Sequence, residues 1–328
     1  MIRTFIIFTA LILLVSSCGT PNDPADYSGG YTIVAKMTTP ASANDIVIDG
    51  DYAYLAQGEG GLLIAGISDP AHPQIVSMEN EGVRGYSSKI IKKDNTVYLT
   101  AGSFGLSVVN VEDIQNPEVT VSNLAIKPSK NLYVFGDYLL TAIGERGFKM
   151  AYIGNPNIPD IRGETNTDGY AYDAKTFAGD TYVMVATGEV GMAIYDISSF
   201  DDGYGIYPLT GSCDLPGKAE SFALDEATHT AYFACGNAGV ALVDYSDVNH
   251  PHLTDILDTG GYAKEILYEQ GMVYVTTGRG GLHIWDVSGS TPVETGIVDT
   301  GDALGLTAKG DYLYIADAEE GLIVVQKP

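Results

Sequence analysis

Residues 277–288 read TGRGGLHIWDVS, and recognisable versions of this stretch recur six more times along the chain of 328 residues. Each version contains a glycine followed by an apolar residue. These steps are Gly61-Leu62, Gly105-Leu106, Gly147-Phe148, Gly191-Met192, Gly239-Val240, Gly281-Leu282 and Gly321-Leu322. The intervals between the glycines are 44, 42, 44, 48, 42 and 40 residues, a period typical of one four-stranded propeller blade. The pattern therefore indicates an array of seven repeats.

The first full repeat predicts four short strands separated by turns. The strands are expected at residues 45–48, 52–56, 61–67 and 74–78. The segments between them are rich in Gly, Asn, Asp and Pro, which tolerate positive φ or preset it. The third strand is continuously apolar in several repeats, as in VALV at residues 240–243. Such a run indicates a strand buried on both faces between neighbouring blades.

The seventh repeat predicts how the ring closes. Residues 304–326 provide only three strands before the sequence ends at Pro328. An isolated strand at residues 31–37 (YTIVAKM) precedes the first repeat and is similar to fourth strands such as residues 73–78 (PQIVSM). The sequence thus predicts an all-β fold over residues 31–328, a seven-bladed β-propeller of four-stranded blades. The N-terminal strand is expected to join the last blade, which leaves neither sheet edge open.

Composition and charge restrict the class of partner. Hydrophobic residues make up 45% of the chain and charged residues 18%, which is typical of a folded protein and not of a disordered one. Lys and Arg number 17 against 42 Asp and Glu, so the formal net charge is −25. A field of this sign repels phosphate backbones, so nucleic acid is not expected as a partner. The same charge would also keep a secreted protein soluble.

The N-terminus predicts a targeting segment. Arg3 provides a basic end, residues 5–15 form a short apolar run, and residues 15–18 read VSSC. This arrangement resembles the lipobox of bacterial lipoproteins. The resemblance implies a lipoprotein signal peptide at residues 1–17, lipidation of Cys18 as the membrane contact, and a flexible tether at residues 18–30. Gly19 after the cysteine implies the outer membrane, so the expected location is the bacterial cell envelope, facing the periplasm or the surface.

The repeat itself resembles a known family. Residues 281–288 (GLHIWDVS) and 191–198 (GMAIYDIS) fit the pattern Gly-apolar-x-Ile-x-Asp-x-Ser, which is followed by a proline turn. This pattern is similar to the LVIVD repeat of secreted and lipid-anchored bacterial propellers. The first three copies depart from it at the Asp, where Gly66, Asn110 and Ile153 or its neighbours stand. The resemblance covers essentially the whole chain after the leader and implies a propeller, but no shared chemistry.

Ligands of propellers usually lie over the central channel, so the residues at the start of each innermost strand are candidates for binding. Two further candidates, Arg146 and Arg279, lie in loops between the second and third strands and offer planar forks for a carboxylate or sulfate. Tyr86, Tyr170, Tyr172 and Tyr262 offer flat faces. The alternative is that these charges only neutralise one another around a water-filled channel. The candidates at the strand starts are Asp45, Lys89, Lys130, Asp173, Glu220, Lys264 and Glu265.

Other motifs indicate structure more than chemistry. Asp196, Asp244 and Asp286 recur at the end of third strands, where they are expected to cap backbone N–H groups. Residues 201–203 (DDG) lack the spacing of a calcium loop, and the five histidines form no ligand set. We therefore predict no catalytic residue, metal site or cofactor. Cys213 and Cys235 are expected to be separate thiols, with a disulfide as the alternative.

Three functions agree with the sequence. The first is a lipoprotein of the cell envelope that acts as a non-enzymatic binding or interaction scaffold for a protein, peptide or glycan. The second is an enzyme, a lyase or glycan hydrolase, that uses channel carboxylates such as Asp45, Asp173, Glu220 and Glu265. The third is a structural subunit of an envelope complex, which would present a large apolar patch. The absence of a recognisable catalytic constellation favours the first.

Overall fold

The structure is a computed structural model that describes residues 27–79, 81–124, 126–200 and 205–328. The predicted signal peptide, Cys18, most of the predicted tether and the DDG segment at 201–203 lie outside the described residues. Within the described ranges the regular structure is β-strand, apart from a 3-10 turn at Gly102–Phe104. No helix in these ranges has the length and apolar character needed to cross a membrane.

The described residues form 28 strands. The first thirteen are β1 (Thr32–Met37), β2 (Asp45–Asp49), β3 (Tyr52–Ala56), β4 (Leu62–Gly66), β5 (Gln74–Glu79), β6 (Ile90–Lys93), β7 (Thr96–Thr100), β8 (Leu106–Asn110), β9 (Glu118–Leu124), β10 (Asn131–Phe135), β11 (Tyr138–Ala142), β12 (Phe148–Tyr152) and β13 (Asp160–Thr165). The others are β14 (Asp173–Phe177), β15 (Tyr182–Ala186), β16 (Met192–Asp196), β17 (Leu209–Cys213), β18 (Ser221–Asp225), β19 (Thr230–Ala234), β20 (Val240–Asp244), β21 (His252–Leu257), β22 (Glu265–Glu269), β23 (Met272–Thr276), β24 (Leu282–Asp286), β25 (Val293–Val298), β26 (Ala303–Lys309), β27 (Tyr312–Asp317) and β28 (Gly321–Gln326).

These strands form seven antiparallel four-stranded sheets, so the predicted seven-bladed propeller is confirmed. Blades 1 to 6 are β2–β5, β6–β9, β10–β13, β14–β17, β18–β21 and β22–β25. The first strand of each blade is innermost and contacts innermost strands of neighbouring blades. We call the end of the channel where these innermost strands begin the top, and the opposite end the bottom.

Blade 7 has the strand order β1-β28-β27-β26, which confirms the predicted ring closure. Its outermost strand β1 pairs with β28 through contacts such as Met37↔Leu322. Like all the other pairings between a third and an outermost strand, this one contains a register shift. A bulge of this kind increases the local twist of the outer strand. β1 therefore occupies the place that the fourth strand holds in every other blade.

The recurring glycine has a steric cause. Gly281 has φ +81°, and a Cβ built there would lie 2.3 Å from the carbonyl oxygen of Val298 on the outermost strand. Both the backbone conformation and the close approach exclude a side chain. Gly321 has the same relation to the carbonyl oxygen of Met37, at 2.4 Å. Gly147, Gly191 and Gly239 lie in the same way against the end of the fourth strand, so the repeat spacing records a close approach of the third strand to the fourth.

The core is divided among the crevices between blades. Between blades 4 and 5, for example, Met184 and Met192 pack with Phe222 and Phe233, all at 1% exposure or less. Both faces of the inner strands are covered in this way, which explains the continuously apolar third strands. The seven crevice clusters together surround the channel and hold its innermost strands in a fixed ring.

The carboxylates at the ends of third strands cap turns, as predicted. Asp196, Asp244 and Asp286 each accept a hydrogen bond from the backbone N–H two residues later, at 2.8–2.9 Å. The residue two positions later is a serine in each case, and hydrogen bonds from its hydroxyl and then from its backbone N–H hold the pKa of each carboxyl below its usual range. In blade 3 the equivalent position is Tyr152 and not Ile153, because Tyr152 pairs with Tyr138 as Asp196 pairs with Tyr182.

The two cysteines within the described residues are free thiols, as expected. Cys213 is half-buried and Cys235 is buried. Burial raises the pKa of Cys235 to about 12, so its sulfur stays protonated in the neutral range.

Candidate functional site

Backbone bridges between neighbouring blades shape the top of the channel. In five of the seven crevices, a glycine in the loop between the second and third strands pairs with the residue that precedes the next blade's innermost strand. Glycine at these positions has positive φ, as at Gly278 with φ +65°. These pairs fix the start of the innermost strands, and the residues just after each bridge lie around the channel. The bridges are Gly58↔Ser87, Gly144↔Ala171, Gly188↔Ala219, Gly236↔Ala263 and Gly278↔Ala303.

A pocket of about 260 Å³ lies at the top of the channel, and all seven blades contribute to its lining. We call it the central pocket. Five of the predicted site residues line it, namely Lys89, Lys130, Glu220, Lys264 and Glu265. Polar side chains of Asn44, Ser88, Asn131 and Ser221 lie between them, and Tyr172 adds an aromatic face. The five predicted residues are all the lysine and glutamate side chains that line the pocket.

Lys89 and two carboxylates form a charged cluster in the pocket. Lys89 is ion-paired with Glu265 and lies 3.8 Å from Asp45. The hydroxyl of Ser221 donates to Glu265 at 2.6 Å. Burial alone would raise the pKa of Glu265, but Lys89 and Lys175 hold it below its usual range. Burial opposes the charged form of Lys89 as well, yet its two acidic neighbours raise its pKa. The cluster is thus held together by mutual charge compensation.

Asp45 and Asp173 connect neighbouring blades. Asp45 accepts a hydrogen bond from the N–H of Ile90 at 2.9 Å, and Asp173 accepts one from the N–H of Phe222 at 3.2 Å. Asp173 is fully buried and is also bound by Asn131 and by Lys175, the latter at 3.0 Å. Burial raises the pKa of Asp45 to about 6, partly opposed by Lys89 and reinforced by Glu265. Asp45 and Asp173, both predicted as site residues, therefore connect neighbouring innermost strands and do not line the pocket.

One wall of the pocket is built from charged and aromatic side chains of blades 4 to 6. Lys218 is ion-paired with Glu220, which also accepts a hydrogen bond from the hydroxyl of Tyr262 at 2.9 Å. The ammonium of Lys218 lies 4.3 Å from the centre of the Tyr172 ring, which packs against Tyr170 at 4.6 Å between centroids. Burial and the nearby carboxylate of Glu220 raise the pKa of Tyr262. The side chains of this wall are therefore connected by ion pairs, hydrogen bonds and ring contacts and do not act independently.

Lys130 differs from the other lysines that line the pocket. Lys89 is paired with Glu265, and Lys264 lies 3.2 Å from Asp302. Lys130 contacts the face of Tyr170 at 5.3 Å and has no carboxylate partner among the residues that the structure describes. A cation against an aromatic face keeps its charge available. The expected mutual neutralisation of the mouth thus holds for two of its lysines and leaves Lys130 available for a ligand.

The structure does not bring the two predicted arginines into the central pocket. Arg146 donates to Glu164 of its own blade at 2.6 Å. Arg279 donates to Glu319 of the next blade at 2.8 Å, and its side chain is 82% exposed. Both lie on top loops, as predicted, but each points to an acidic partner on the periphery. Their position in the repeat indicated the loop correctly and did not indicate the direction of the side chain.

Three residues of the site were not among the sequence candidates: Lys175, Lys218 and Asp302. Lys218 and Asp302 directly precede a bridge residue, the position that Tyr86, Tyr170 and Tyr262 hold in other blades. Extending the repeat alignment by two residues toward the N-terminus would have identified them. Lys175 lies two residues after Asp173 on β14, and the alternation of side chains along a strand would have indicated it. In the described ranges no group of three His, Cys, Asp or Glu side chains is arranged to hold a metal ion.

Comparisons with known proteins agree with this architecture. The family model of the LVIVD repeat matches residues 40–79, 260–300 and 301–326. The chain therefore carries LVIVD repeats, as the sequence resemblance predicted. No curated protein sequence matches the chain.

Solved structures with a similar backbone include a propeller. The WD40 β-propeller domain of Doa1 superimposes with a TM-score of 0.67 at 9% identity, over 91% of this chain and 97% of that domain. The computationally designed protein Ika8 gives a TM-score of 0.60 at 9% identity, over 87% of this chain and 83% of the designed chain. At such identities the likeness shows the fold alone.

Proposed function

We propose that this chain with LVIVD repeats is a non-enzymatic binding protein whose central pocket holds an anionic group of its ligand. The observation that carries the proposal is Lys130, the lysine of the pocket that faces Tyr170 and no described carboxylate. In a chain with a net charge of −25, an ammonium group left without an acid at the centre of a pocket is a ready partner for an anion. A hydrogen bond between charged groups of this kind contributes about 1.5–3 kcal/mol.

The size and lining of the pocket favour a carboxylate on a small polar body. A volume of about 260 Å³ is just below the range of pockets that enclose drug-sized ligands. Asn44, Ser88 and Asn131 add neutral polar groups to the same lining as Lys130. Amide and hydroxyl groups in such positions orient a bound group but do not attract a particular charge. The anion is therefore selected by Lys130, and its orientation by the neutral groups around it.

The carboxylates of the mouth support binding over catalysis. Asp45 and Asp173 bind backbone N–H groups of the next blade, Glu265 binds Lys89 and Ser221, and Glu220 binds Lys218 and Tyr262. A general acid or base must be within reach of the proton it transfers, whereas these oxygens are already engaged by protein donors. The enzyme and the structural subunit remain the alternative predictions.

A thermal-shift experiment tests the binding site. Any ligand that binds the native state raises its melting temperature. Purified protein is heated with lactate, succinate, glucuronate or glycylglycine, each at increasing concentration. At ten times its dissociation constant, a ligand stabilises by about 1.4 kcal/mol, which corresponds to roughly 2 °C for a chain of this size. We expect at least one carboxylate to produce such a shift.

Two lysine variants make the experiment specific. Lys130→Met should lose most of the shift. Lys127→Met is the matched control, because Lys127 lies three residues earlier, is exposed, and does not line the pocket. It should retain the shift. An equal shift in the wild type and in Lys130→Met would show that the carboxylate binds elsewhere and would refute the proposed site.

We also propose that the protein is attached to the bacterial cell envelope through a lipid on Cys18. The support is the sequence VSSC at residues 15–18 after a short apolar run. Cells that express the full chain are grown with a palmitate analogue that carries an alkyne, and the protein is then tested for the label. Wild-type protein should be labelled and recovered with membranes, while Cys18→Ala should be neither. Membrane recovery without label would disprove the lipid anchor.

A further inference from the structure

The top face has a second pocket beside the central one. This outer pocket has a volume of about 470 Å³ and is lined by Glu189, Leu215, Gly217, Lys218, Asn237 and Tyr262. Lys218 and Tyr262 both bind Glu220, which lines the central pocket. The two pockets therefore lie on opposite sides of one wall. A ligand that enters both must be elongated and must cross this wall.

Charge is distributed differently in the two pockets. The central pocket contains Lys130, which has no described acidic partner. The outer pocket contains Glu189, which is exposed and forms no ion pair in the part of the chain that is described. Glu59 and Glu145 occupy the same loop position in blades 1 and 3 and are likewise exposed without an ion-pair partner in those ranges. The same loops, at the rim of the top face, also carry Arg146 and Arg279, but these are paired with Glu164 and Glu319. The charges that lack an ion-pair partner in the described part of these loops are thus acidic, around the basic centre at Lys130.

This distribution selects one class of elongated ligand. A polyanion such as an acidic glycan would carry further negative charges over the glutamates of the rim, and like charges brought together at an interface oppose binding. A chain with one anionic end followed by a cationic group would meet both parts of the face favourably. A peptide with a free C-terminal carboxylate and a nearby Lys or Arg has this arrangement, and capture of a terminal carboxylate is an established mode of peptide recognition.

We propose that the top face binds the C-terminal end of a peptide or protein, with the terminal carboxylate at Lys130 and a cationic side chain of its last residues at Glu189. This inference rests on the proposed function, since it names the class of ligand for the same pocket. The wall of Tyr172, Lys218 and Tyr262 then lies beneath the peptide between the two charged contacts. Asn237 lies in the outer pocket, where its amide can bind the peptide backbone.

The experiment compares two pools of randomised, N-acetylated hexapeptides that differ only in a free or an amidated C-terminus. Immobilised protein captures peptides from each pool, and mass spectrometry identifies them. We expect the wild type to capture the free-acid pool at least tenfold more than the amide pool, the ratio that corresponds to about 1.4 kcal/mol. Lys or Arg should be enriched within the last five positions of the captured peptides.

Variants assign each half of the ligand to its contact. Lys130→Met should capture the two pools equally, while Lys127→Met should behave as the wild type. Glu189→Gln should retain the preference for free acids and lose the enrichment of Lys and Arg. The melting temperature of each ligand-free variant is measured first. Because Lys130 and Glu189 lie outside the buried core, we expect these melting temperatures to match the wild type.

Other outcomes would overturn the inference. Equal capture of both pools by the wild type would exclude recognition of the terminus, and no capture of either would exclude a peptide ligand. In both cases the carboxylate experiment above still decides separately whether the pocket binds anions. Tighter, Lys130-dependent binding of oligogalacturonate than of any captured peptide would replace the peptide by an acidic glycan and leave the proposed function intact. Unchanged Lys and Arg enrichment in Glu189→Gln would refute the cationic contact.

Discussion

The two ends of the propeller use lysine in opposite ways. At the bottom, Lys92, Lys93, Lys309 and Lys327 each contact a carboxylate and a backbone carbonyl in the turns around them. Lys93, for instance, donates to Gly136 O at 2.6 Å and is ion-paired with Asp137 of the next blade. At the top, Lys130 contacts a tyrosine ring and no described carboxylate. The same residue type joins blades at one end and remains available at the other.

This difference shows how a repeat fold separates stability from binding. These four bottom lysines satisfy exposed carbonyls of tight turns, which is a structural task. The top of the channel has its own structural charges, in Lys89 and its acidic neighbours. Lys130 lies in the same ring of charges, against the aromatic face of Tyr170 and without a carboxylate partner among the described residues. A lysine at the top is therefore structural or available according to its carboxylate neighbours, and variants at both ends can test this division.

The largest effect is expected at Lys89. Lys89→Met would leave Asp45 and Glu265 close together without their shared cation. Removing one member of a buried ion pair is strongly destabilising, but the Lys89 side chain is 22% exposed, so we expect a loss of about 2–3 kcal/mol in the free energy of unfolding. Urea unfolding at pH 7 measures it. A loss below about 0.5 kcal/mol would show that water and not Lys89 compensates these carboxylates.

The bottom lysines should affect stability and leave binding intact. The side chain of Lys92 is 8% exposed and donates to Asp49 at 2.6 Å and to the carbonyl of Asp94. Lys92→Met retains the aliphatic packing and loses these hydrogen bonds, so the free energy of unfolding should fall by about 1–2 kcal/mol. The carboxylate-induced shift in melting temperature should not change. If Lys92→Met kept its stability but lost that shift, the bottom lysine would act in binding and not in stability, contrary to this prediction.

Much of the fold could be predicted from the sequence, because every blade of a propeller repeats the same backbone arrangement. The recurrence of Gly281 and its equivalents follows from a steric contact that at least five blades share, and the blade number and the closure by β1 were predicted correctly. Side-chain direction does not repeat. Arg146 and Arg279 turn toward Glu164 and Glu319, and the acids that attract them lie elsewhere in the repeat.

A pH experiment tests the compensated charges of the mouth. Burial and Glu265 raise the pKa of Asp45 from 3.8 to about 6, against the effect of Lys89. Because its pKa is higher in the folded state, the folded protein binds more protons than the unfolded chain between these values. Stability should therefore rise as the pH falls through 6. From pH 7 to pH 5, the wild type should gain on the order of 1 kcal/mol relative to Asp45→Asn.

Between pH 7 and pH 5, the change in stability reports the ionisation of Asp45 and not that of Glu265. The pKa of Glu265 lies below its usual value of 4.5, so its stabilising contribution is present throughout the interval and is lost only at lower pH. Urea unfolding of the wild type and of Asp45→Asn is compared at pH 7, 6 and 5. A constant difference between the two proteins would show that Asp45 stays fully ionised throughout this range and that folding does not raise its pKa.

The smallest effect is expected for a variant of Arg279. This variant distinguishes binding at the rim of the top face from binding at its centre. Its ion pair with Glu319 is on the surface, and such pairs contribute little, so Arg279→Met should change the free energy of unfolding by less than about 0.5 kcal/mol. Because Arg279 does not line the central pocket, the carboxylate-induced shift should also equal that of the wild type. Loss of the shift in this variant, with retention in Lys130→Met, would place the anion on the rim, where the position of Arg279 in the repeat first suggested it.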